Sequence, residues 1–383
     1  VRPAAAVSAV FFTHALLVAA CVSRISSLKH GLGLSDAQLG LALLAGPLCS
    51  VAAMFAAGQL VKRIGGGRAL RRTVPLMCAA APLPGLADSL WSLALFLGIW
   101  GGVEGIVGVA MNAHAVDVES ATAKPIMSRL HGFWSLGALA GGVAGTVAGY
   151  AGQPVALQGA ELGLAAFAGF VVLAPCPVAT KARPVDSGGR PAGTVLVLLG
   201  VVAFCSNLAE GSAQTWSSVF FTDTAGAPRD LAGLGLAVYA VSMFTSRLFI
   251  DRVLGRFGTV RTVRALMVLA GLGFLPALLV PHPVTAIAGL MAVGLGFSPV
   301  IPAALRAGSK IPGIAPGPAL ATVSGLTWGA MMCGPPLVGG LAAVSGVGVA
   351  LGLVVAFAIV VVACFAYALR LGAVEALRGP QGR

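Results

Sequence analysis

Apolar runs of about twenty residues recur from one end of this chain to the other, separated by gaps too short to hold folded domains. As a helix, a run of that length spans the roughly 30 Å hydrocarbon core of a bilayer. Twelve spans are predicted, over residues 5–28, 37–60, 72–88, 91–116, 128–150, 157–177, 194–221, 230–250, 261–280, 283–306, 316–342 and 346–370. With 58% hydrophobic and only 9% charged residues, nearly all the surface must face lipid or other helices. Many of the 53 Gly and 23 Pro fall inside the runs, which membrane helices tolerate where neighbours satisfy the backbone. The runs do not alternate in polarity, which argues against a β-barrel. The first is long and lacks a small-residue cleavage site, so it reads as a retained helix rather than a signal peptide.

The formal net charge is +12, and its placement matters more than its size. With the amino end inside, all of the 24 Lys and Arg except Arg24, Lys29 and Arg229 fall on one side. The positive-inside rule then puts both termini in the cytoplasm. Nucleic acid is not an expected partner; phosphate binding by the Arg clusters is the alternative reading of the same charge. Seven Cys (21, 49, 78, 176, 205, 333 and 364) stand singly within apolar runs and read as small buried hydrophobes. No residues have metal-ligand spacing, no nucleophile is paired with a base, and no glycine loop suits a nucleotide. Neither an enzyme nor a primary pump is expected, and no cofactor or metal.

Two basic turns lie half a chain apart. Gly58-Gln-Leu-Val-Lys62-Arg63-Ile-Gly65-Gly-Gly-Arg68 follows the second span, and Phe249-Ile-Asp251-Arg252-Val-Leu-Gly255-Arg256-Phe-Gly258 follows the eighth. Matching Arg63 to Arg252 gives an offset of 189, while Phe133-Trp134-Ser-Leu-Gly137 and Leu326-Thr-Trp328-Gly329 give about 194. Between the halves runs Lys181 to Pro191, rich in Pro, Gly and charge, which reads as a cytoplasmic linker. The expected organisation is a six-helix bundle over 1–178, a linker over 179–193 and a second bundle over 194–383. Duplicated halves of this kind build many secondary transporters, with the solute site between them near the midplane. Gly137, Gly141, Gly145 and Gly149 line one face of span five and invite a close helix neighbour. Pro335 and Pro336 predict a kink in span eleven.

Charge inside a bilayer costs about 2.5 to 3.5 kcal/mol on insertion scales, so mid-span carboxylates need a cavity, a partner or a proton. Glu104 and Glu210 are the two clear cases. Asn207, Glu210 and Gln214 share one helix face, and that face must look into a polar cavity. Burial disfavours the charged form of a carboxyl group, which suits a residue that binds and releases a proton. A structural glutamate held by Asn207 is the competing reading. Asn112 lies on the same side of its helix as Glu104, whereas His114 is turned some 200° from Asn112 and reads as packed. Trp134, Trp216 and Trp328 suit either solute recognition or interfacial anchoring, and Trp91 an interfacial anchor.

The basic turns, together with Leu34-Ser35-Asp36-Ala37-Gln38-Leu39-Gly40, Ala110-Met-Asn112-Ala-His114-Ala-Val116, Pro125 to Gly137 and Glu210-Gly-Ser-Ala-Gln214-Thr-Trp216-Ser217, resemble the major facilitator superfamily over essentially the whole chain. Together they look like the subgroup that contains the rhizopine-locus membrane protein and its bacterial inner-membrane relatives, which implies a multi-pass protein of a bacterial-type inner membrane. The resemblance implies an all-α membrane fold of twelve helices in two six-helix bundles with pseudo-two-fold symmetry, working by alternating access. Helices one, four, seven and ten line the cavity in that family, which brings in His14 as a solute or proton contact. The implied function is proton-coupled transport of a small organic solute by a monomer, export ahead of uptake, with uptake or facilitated passage of a sugar-like or polyol solute, or a non-transporting receptor or scaffold, as alternatives. Solute contacts are expected from His14, Glu104, Asn112, Asn207, Glu210, Gln214, Trp216 and Trp328, and proton coupling from Glu210 and Glu104. Gating is expected from Lys62, Arg63, Asp251, Arg252 and Arg256, with Asp117 and Glu119 as partners for Lys62 and Arg63. This chain departs from the family pattern at Lys62, Gly108 and Cys21, where an acid, an Asp and a Trp are usual.

Overall fold

In the computed structural model of this chain, residues 3–122, 126–173, 194–308 and 316–367 are described, and no strand occurs among them. The first bundle comprises α1 (Pro3–Ser23), α2 (Ile25–Gly31), α3 (Asp36–Ile64), α4 (Gly66–Ala80), α5 (Leu90–Thr122), α6 (Met127–Tyr150) and α7 (Val155–Leu173), with α1 and α2 forming one span. The second comprises α8 (Thr194–Val219), α9 (Gly233–Phe257), α10 (Thr259–Leu279), α11 (Pro283–Phe297), α12 (Val300–Gly308) and α13 (Pro316–Phe365). Here α11 and α12 make one span, and α13 makes two, parting at Gly346 where φ is 81°. Among the described residues these helices make twelve spans. Among the described residues nine helical stretches are long and apolar enough to cross a membrane, the last of them running through Gly346 from Gly329 to Phe365. The predicted linker and the end of the first bundle at 178 lie outside the described residues, which resume at Thr194, the first residue of α8.

Local chemistry explains several of the ends. Ser35 caps α3: its Oγ accepts the Gln38 N–H at 3.3 Å and the Gln38 Oε1 accepts the Ser35 N–H at 2.9 Å, satisfying two donors that a helix start otherwise leaves unmade. Asp36 in the first turn adds a favourable charge. The third span is shorter and earlier than predicted: α4 ends at Ala80 because Pro82 and Pro84 enforce a short 3₁₀ turn over Leu83–Leu86. The tenth span, predicted as one helix, is interrupted at Pro299, whose ring leaves no N–H for the ladder. Conversely α13 stays helical through Pro335 and Pro336, and its break falls eleven and ten residues later, at Gly346.

Backbone geometry fixes the repeat. Gly65 closes α3 at φ 81°, ψ 155°, and Gly258 closes α9 at φ 80°, ψ 152°. Each donates its N–H back into the last turn, to Val61 O at 2.8 Å and Leu254 O at 2.9 Å. Among the described residues, six glycines have positive φ, and they pair off as Gly33 with Gly226, Gly65 with Gly258 and Gly152 with Gly346, an offset of 193 or 194. Only glycine adopts that conformation without a Cβ penalty, so the pairing marks equivalent turns. The offset of 189 is therefore corrected: Arg63 corresponds to Arg256 and Gly58 to Asp251, and the Trp-based value of 194 was the sound one.

The basic turns Lys62–Arg72 and Arg252–Arg261 lie at one end of the bundles, the basic face. At the opposite end, the far face, the bundles touch. Gly40 on α3 meets the backbone of Pro335 and Gly339 on α13, and Thr146 on α6 meets Gly233 on α9. These are symmetry-related contacts, since Gly40 and Gly233, like Thr146 and Gly339, are 193 apart. Within the first bundle the glycine stripe performs as expected, with Gly137 and Gly141 seated on the Phe12 and Leu16 carbonyls of α1. A Cβ at Gly141 would lie 2.3 Å from the Leu16 oxygen. Gly141→Leu is expected to cost at least about 1–3 kcal/mol by overpacking, read as loss of the monodisperse peak in fluorescence-detected size exclusion, with Gly169→Leu, where nothing lies within 4 Å, as the tolerated control.

Candidate functional site

Between the bundles lies a cavity of about 600 Å³, walled by α1, α3, α5 and α6 on one side and α8, α9 and α13 on the other. Asn112 and, one turn on, Val116 are exposed, so the cavity widens toward the basic face while the far face stays closed. Its walls are largely apolar, with Met54, Met111, Met243, Met331 and Phe244 among them. Unbranched thioethers adapt to varied solute shapes.

Each bundle contributes one ionisable cluster, at mid-helix. In the first, His14 Nε2 on α1 lies 3.2 Å from Glu104 Oε1 on α5, and Ser50 Oγ on α3 donates to Glu104 Oε2 at 3.0 Å. Trp134 Nε1 on α6 donates to His14 Nδ1 at 3.3 Å. An indole nitrogen only donates, so Nδ1 must accept and the imidazole proton sits on Nε2, on the side of Glu104. Trp134→Phe keeps the ring but releases this tautomer. It is expected to weaken apparent solute affinity by about threefold to tenfold, the worth of one net hydrogen bond, measured as KM in counterflow.

In the second bundle Glu210 is buried on α8, and its Oε1 lies 3.4 Å from Arg247 Nη2 on α9 and 3.4 Å from Gln214 Nε2. Asn207 Nδ2 donates to the Thr327 carbonyl at 2.5 Å. Glu210 Oε2, Arg247 Nε and Tyr239 Oη are buried without a hydrogen-bond partner. Buried polar atoms are normally satisfied, so this cluster presents both donor and acceptor capacity beside the cavity.

His14, Glu104, Asn112, Asn207, Glu210 and Gln214 all line the cavity. Asn112 Nδ2 is engaged with its own helix, at the Gly108 carbonyl 2.9 Å away. Trp216 does not line it: six residues beyond Glu210 it points about 120° around α8 and is fully buried in the hydrophobic core. The side chains of Trp328 and Asp251 lie outside the described residues. His114 is buried away from the cavity, its backbone packed on Gly66, and His131 lies edge-on to Phe11 at 5.6 Å.

The gating residues are dispersed. Lys62, Arg63, Arg252 and Arg256 are exposed on the basic face, and Arg256 stacks over Phe257 at 5.4 Å. The pairing of Lys62 and Arg63 with Asp117 and Glu119 is not observed; Glu119 turns instead to accept the Ile126 N–H at 2.8 Å, holding the approach to α6. The ion pairs between bundles stand on the far face. Lys29 Nζ lies 2.5 Å from both Asp36 Oδ1 and Asp223 Oδ2, and Ser26 Oγ lies 2.8 Å from Thr222 Oγ1. Sequence reading gave no role to Arg247 in the cavity, to Tyr239 or to Ser50. Tyr239 and Arg247, eight residues apart on one helix face in an apolar run, were the available signal.

Residues 7–313 match the Major Facilitator Superfamily. An uncharacterized MFS-type transporter of Yersinia pestis is 31% identical over 356 residues, 90% of each chain. Membrane protein MosC of Rhizobium meliloti is 26% identical over 368 residues, covering 94% of this chain and 88% of that protein. Among solved structures, the nucleoside transporter NupG superposes with a TM-score of 0.73 at 13% identity, over 97% of this chain and 99% of that one. Sequence match, repeat and two-bundle architecture agree across the chain, which therefore belongs to the Major Facilitator Superfamily and is a multi-pass membrane transporter of a small solute rather than an enzyme.

Proposed function

We propose that this protein exports a small organic solute across the bacterial inner membrane in exchange for protons, as a monomer working by alternating access. The observation that carries the reading is the placement of one buried carboxyl cluster in each bundle, Glu104 with His14 and Glu210 with Arg247, on opposite walls of the same cavity. A proton on Glu210 dissolves its ion pair with Arg247; loss of that proton restores it. The free guanidinium and the bonded one present different surfaces to a solute, which links proton and solute occupancy. The basic face is taken as cytoplasmic under the positive-inside rule, so the cavity is open to the cytoplasm.

The adaptable Met-rich wall favours export of a solute with an apolar face. The unpartnered Glu210 Oε2, Arg247 Nε and Tyr239 Oη favour a solute that also carries hydroxyl groups, which donate and accept together. A nucleoside, the cargo named for the structural relative NupG, has both properties. Uptake or facilitated passage of a sugar-like or polyol solute is the second reading, supported by the same unpartnered atoms. Liposomes holding the protein and an internal pH dye, challenged with sugars, polyols, nucleosides, amino acids and hydrophobic cations, test this. Solute-dependent alkalinisation or acidification supports coupling; solute passage without pH change removes protons from the account.

A further inference from the structure

The far face holds a histidine that the cavity mechanism does not use. His30, in the last turn of α2, has its Nδ1 2.8 Å from the carbonyl oxygen of Ser26 and its Nε2 3.1 Å from Asp223 Oδ1. A carbonyl oxygen can only accept, and so can an ionised carboxylate. Lys29 pairs with Asp223, its Nζ reaching the other carboxyl oxygen at 2.5 Å. Each ring nitrogen therefore has an acceptor beside it, with the Ser26 hydroxyl also 3.3 Å from Nδ1, and both acceptors are satisfied by the ring when both nitrogens carry protons.

We infer that His30 is a proton-binding site loaded as the far face closes: the imidazolium seals the two bundles together, and opening of that face returns the proton to the same side. The proton comes from solvent on the far face and goes back there, so it biases the conformational equilibrium without crossing the membrane. It is separate from any proton carried by Glu104 or Glu210.

Three features support the assignment. The contact joins the bundles, since His30 belongs to the first and Asp223 follows α8 of the second. The two residues are 193 apart, the offset of the repeat, so they are counterparts that meet at the pseudo-two-fold axis, where any separation of the bundles must part them. Asp223 also sits in a π-helical turn, Phe220–Thr224, a local distortion frequent at functional sites.

The charges facing this ring are few. Asp223 comes from the second bundle, Lys29 from α2 itself and Asp36 from the start of α3. Arg24 is turned away, with Nη1 on Gln158 Oε1 and Nη2 on the Gln153 carbonyl, both at 2.8 Å. Lys29 lies between the two carboxylates, and Asp223 Oδ1 also accepts from Thr222 Oγ1 at 2.8 Å; in a neutral ring with its proton on Nδ1, that oxygen would face the Nε2 lone pair.

The test is a pulsed electron-electron distance measurement in nanodiscs, where both faces see one pH. Spin labels go on Ala151→Cys and Val344→Cys, exposed far-face positions on opposite bundles, in a chain whose seven native Cys are replaced. A single proton bound only in the closed form changes the closed-to-open ratio by up to tenfold per pH unit. The wild type should gain the short, closed distance as pH falls from 8.5 to 5. His30→Gln should lose that His30-dependent share of the response. His30→Lys, a permanent cation, should hold the closed distance throughout. A pH response identical in wild type and His30→Gln, or none in the wild type, overturns the inference; the His30→Lys arm keeps it decidable should the glutamine variant fold poorly.

Discussion

Glu210→Gln is expected to reduce solute-dependent proton movement at least tenfold while changing solute affinity by no more than about threefold. The amide matches the carboxyl group in shape and still offers an oxygen to Arg247 and Gln214, which approach Glu210 Oε1 at 3.4 Å each. It cannot take up and release a proton. Binding and coupling therefore separate, the pattern expected when a group acts in the conformational step rather than in holding the solute. Internal pH recording gives the first quantity and counterflow the second. Equal proton movement in variant and wild type would shift the assignment to Glu104, where Glu104→Gln is the matching substitution. Ser50 and His14 then become the groups that hold the coupling carboxyl in place.

Arg247→Met is expected to be the most damaging single change at the site. It leaves the Glu210 carboxylate buried without its cation. Breaking a fully buried pair costs about 3–5 kcal/mol, and since the Arg247 side chain is 31% exposed about 2–3 kcal/mol is expected here. The double variant Arg247→Met with Glu210→Gln removes the stranded charge and should recover most of that loss. Thermal melting in detergent checks both. A double variant no more stable than Arg247→Met alone would show that Arg247 acts through packing of its stem and not through its charge.

The architecture was legible because the two signals that define it are local. Apolar run length fixed the spans, and the basic turns with the Trp echo exposed the duplication. What failed was what local pattern does not determine. The backbone stays helical through Pro335 and Pro336 within α13, and Pro335 packs against Gly40 of the other bundle, a contact that no local pattern gives. The repeat was misregistered by four residues because Asp251-Arg252 looked like the better match to Lys62-Arg63. The paired dihedrals of Gly65 and Gly258 decide it the other way.

The cavity was half visible. Placing Asn207, Glu210 and Gln214 on one helix face needed only helical geometry, and all three line the cavity. The partners of Glu210 and Glu104 come from other helices: Arg247 from α9, His14 from α1, Ser50 from α3. No spacing within one segment reveals which helices meet. The flat face and single N–H donor of Trp216 suit solute recognition, yet α8 turns it into the core. Lys29, His30, Asp36 and Asp223 are unremarkable loop-end charges in sequence, and they become one cluster only through the docking of the bundles.

Alternating access requires that one cavity be reached in turn from both faces. Ala240 on α9 lines that cavity, and Ala240→Cys adds a single sulfur there in a chain without its native Cys. The decisive measurement is the rate at which a membrane-impermeant maleimide reaches this position from each side, in right-side-out and inside-out vesicles. Alternating access predicts labelling from both sides at different rates, with the far-face rate rising when Lys29→Met removes the cation that joins Asp36 to Asp223. Labelling from the basic face alone, unchanged by Lys29→Met, would contradict it.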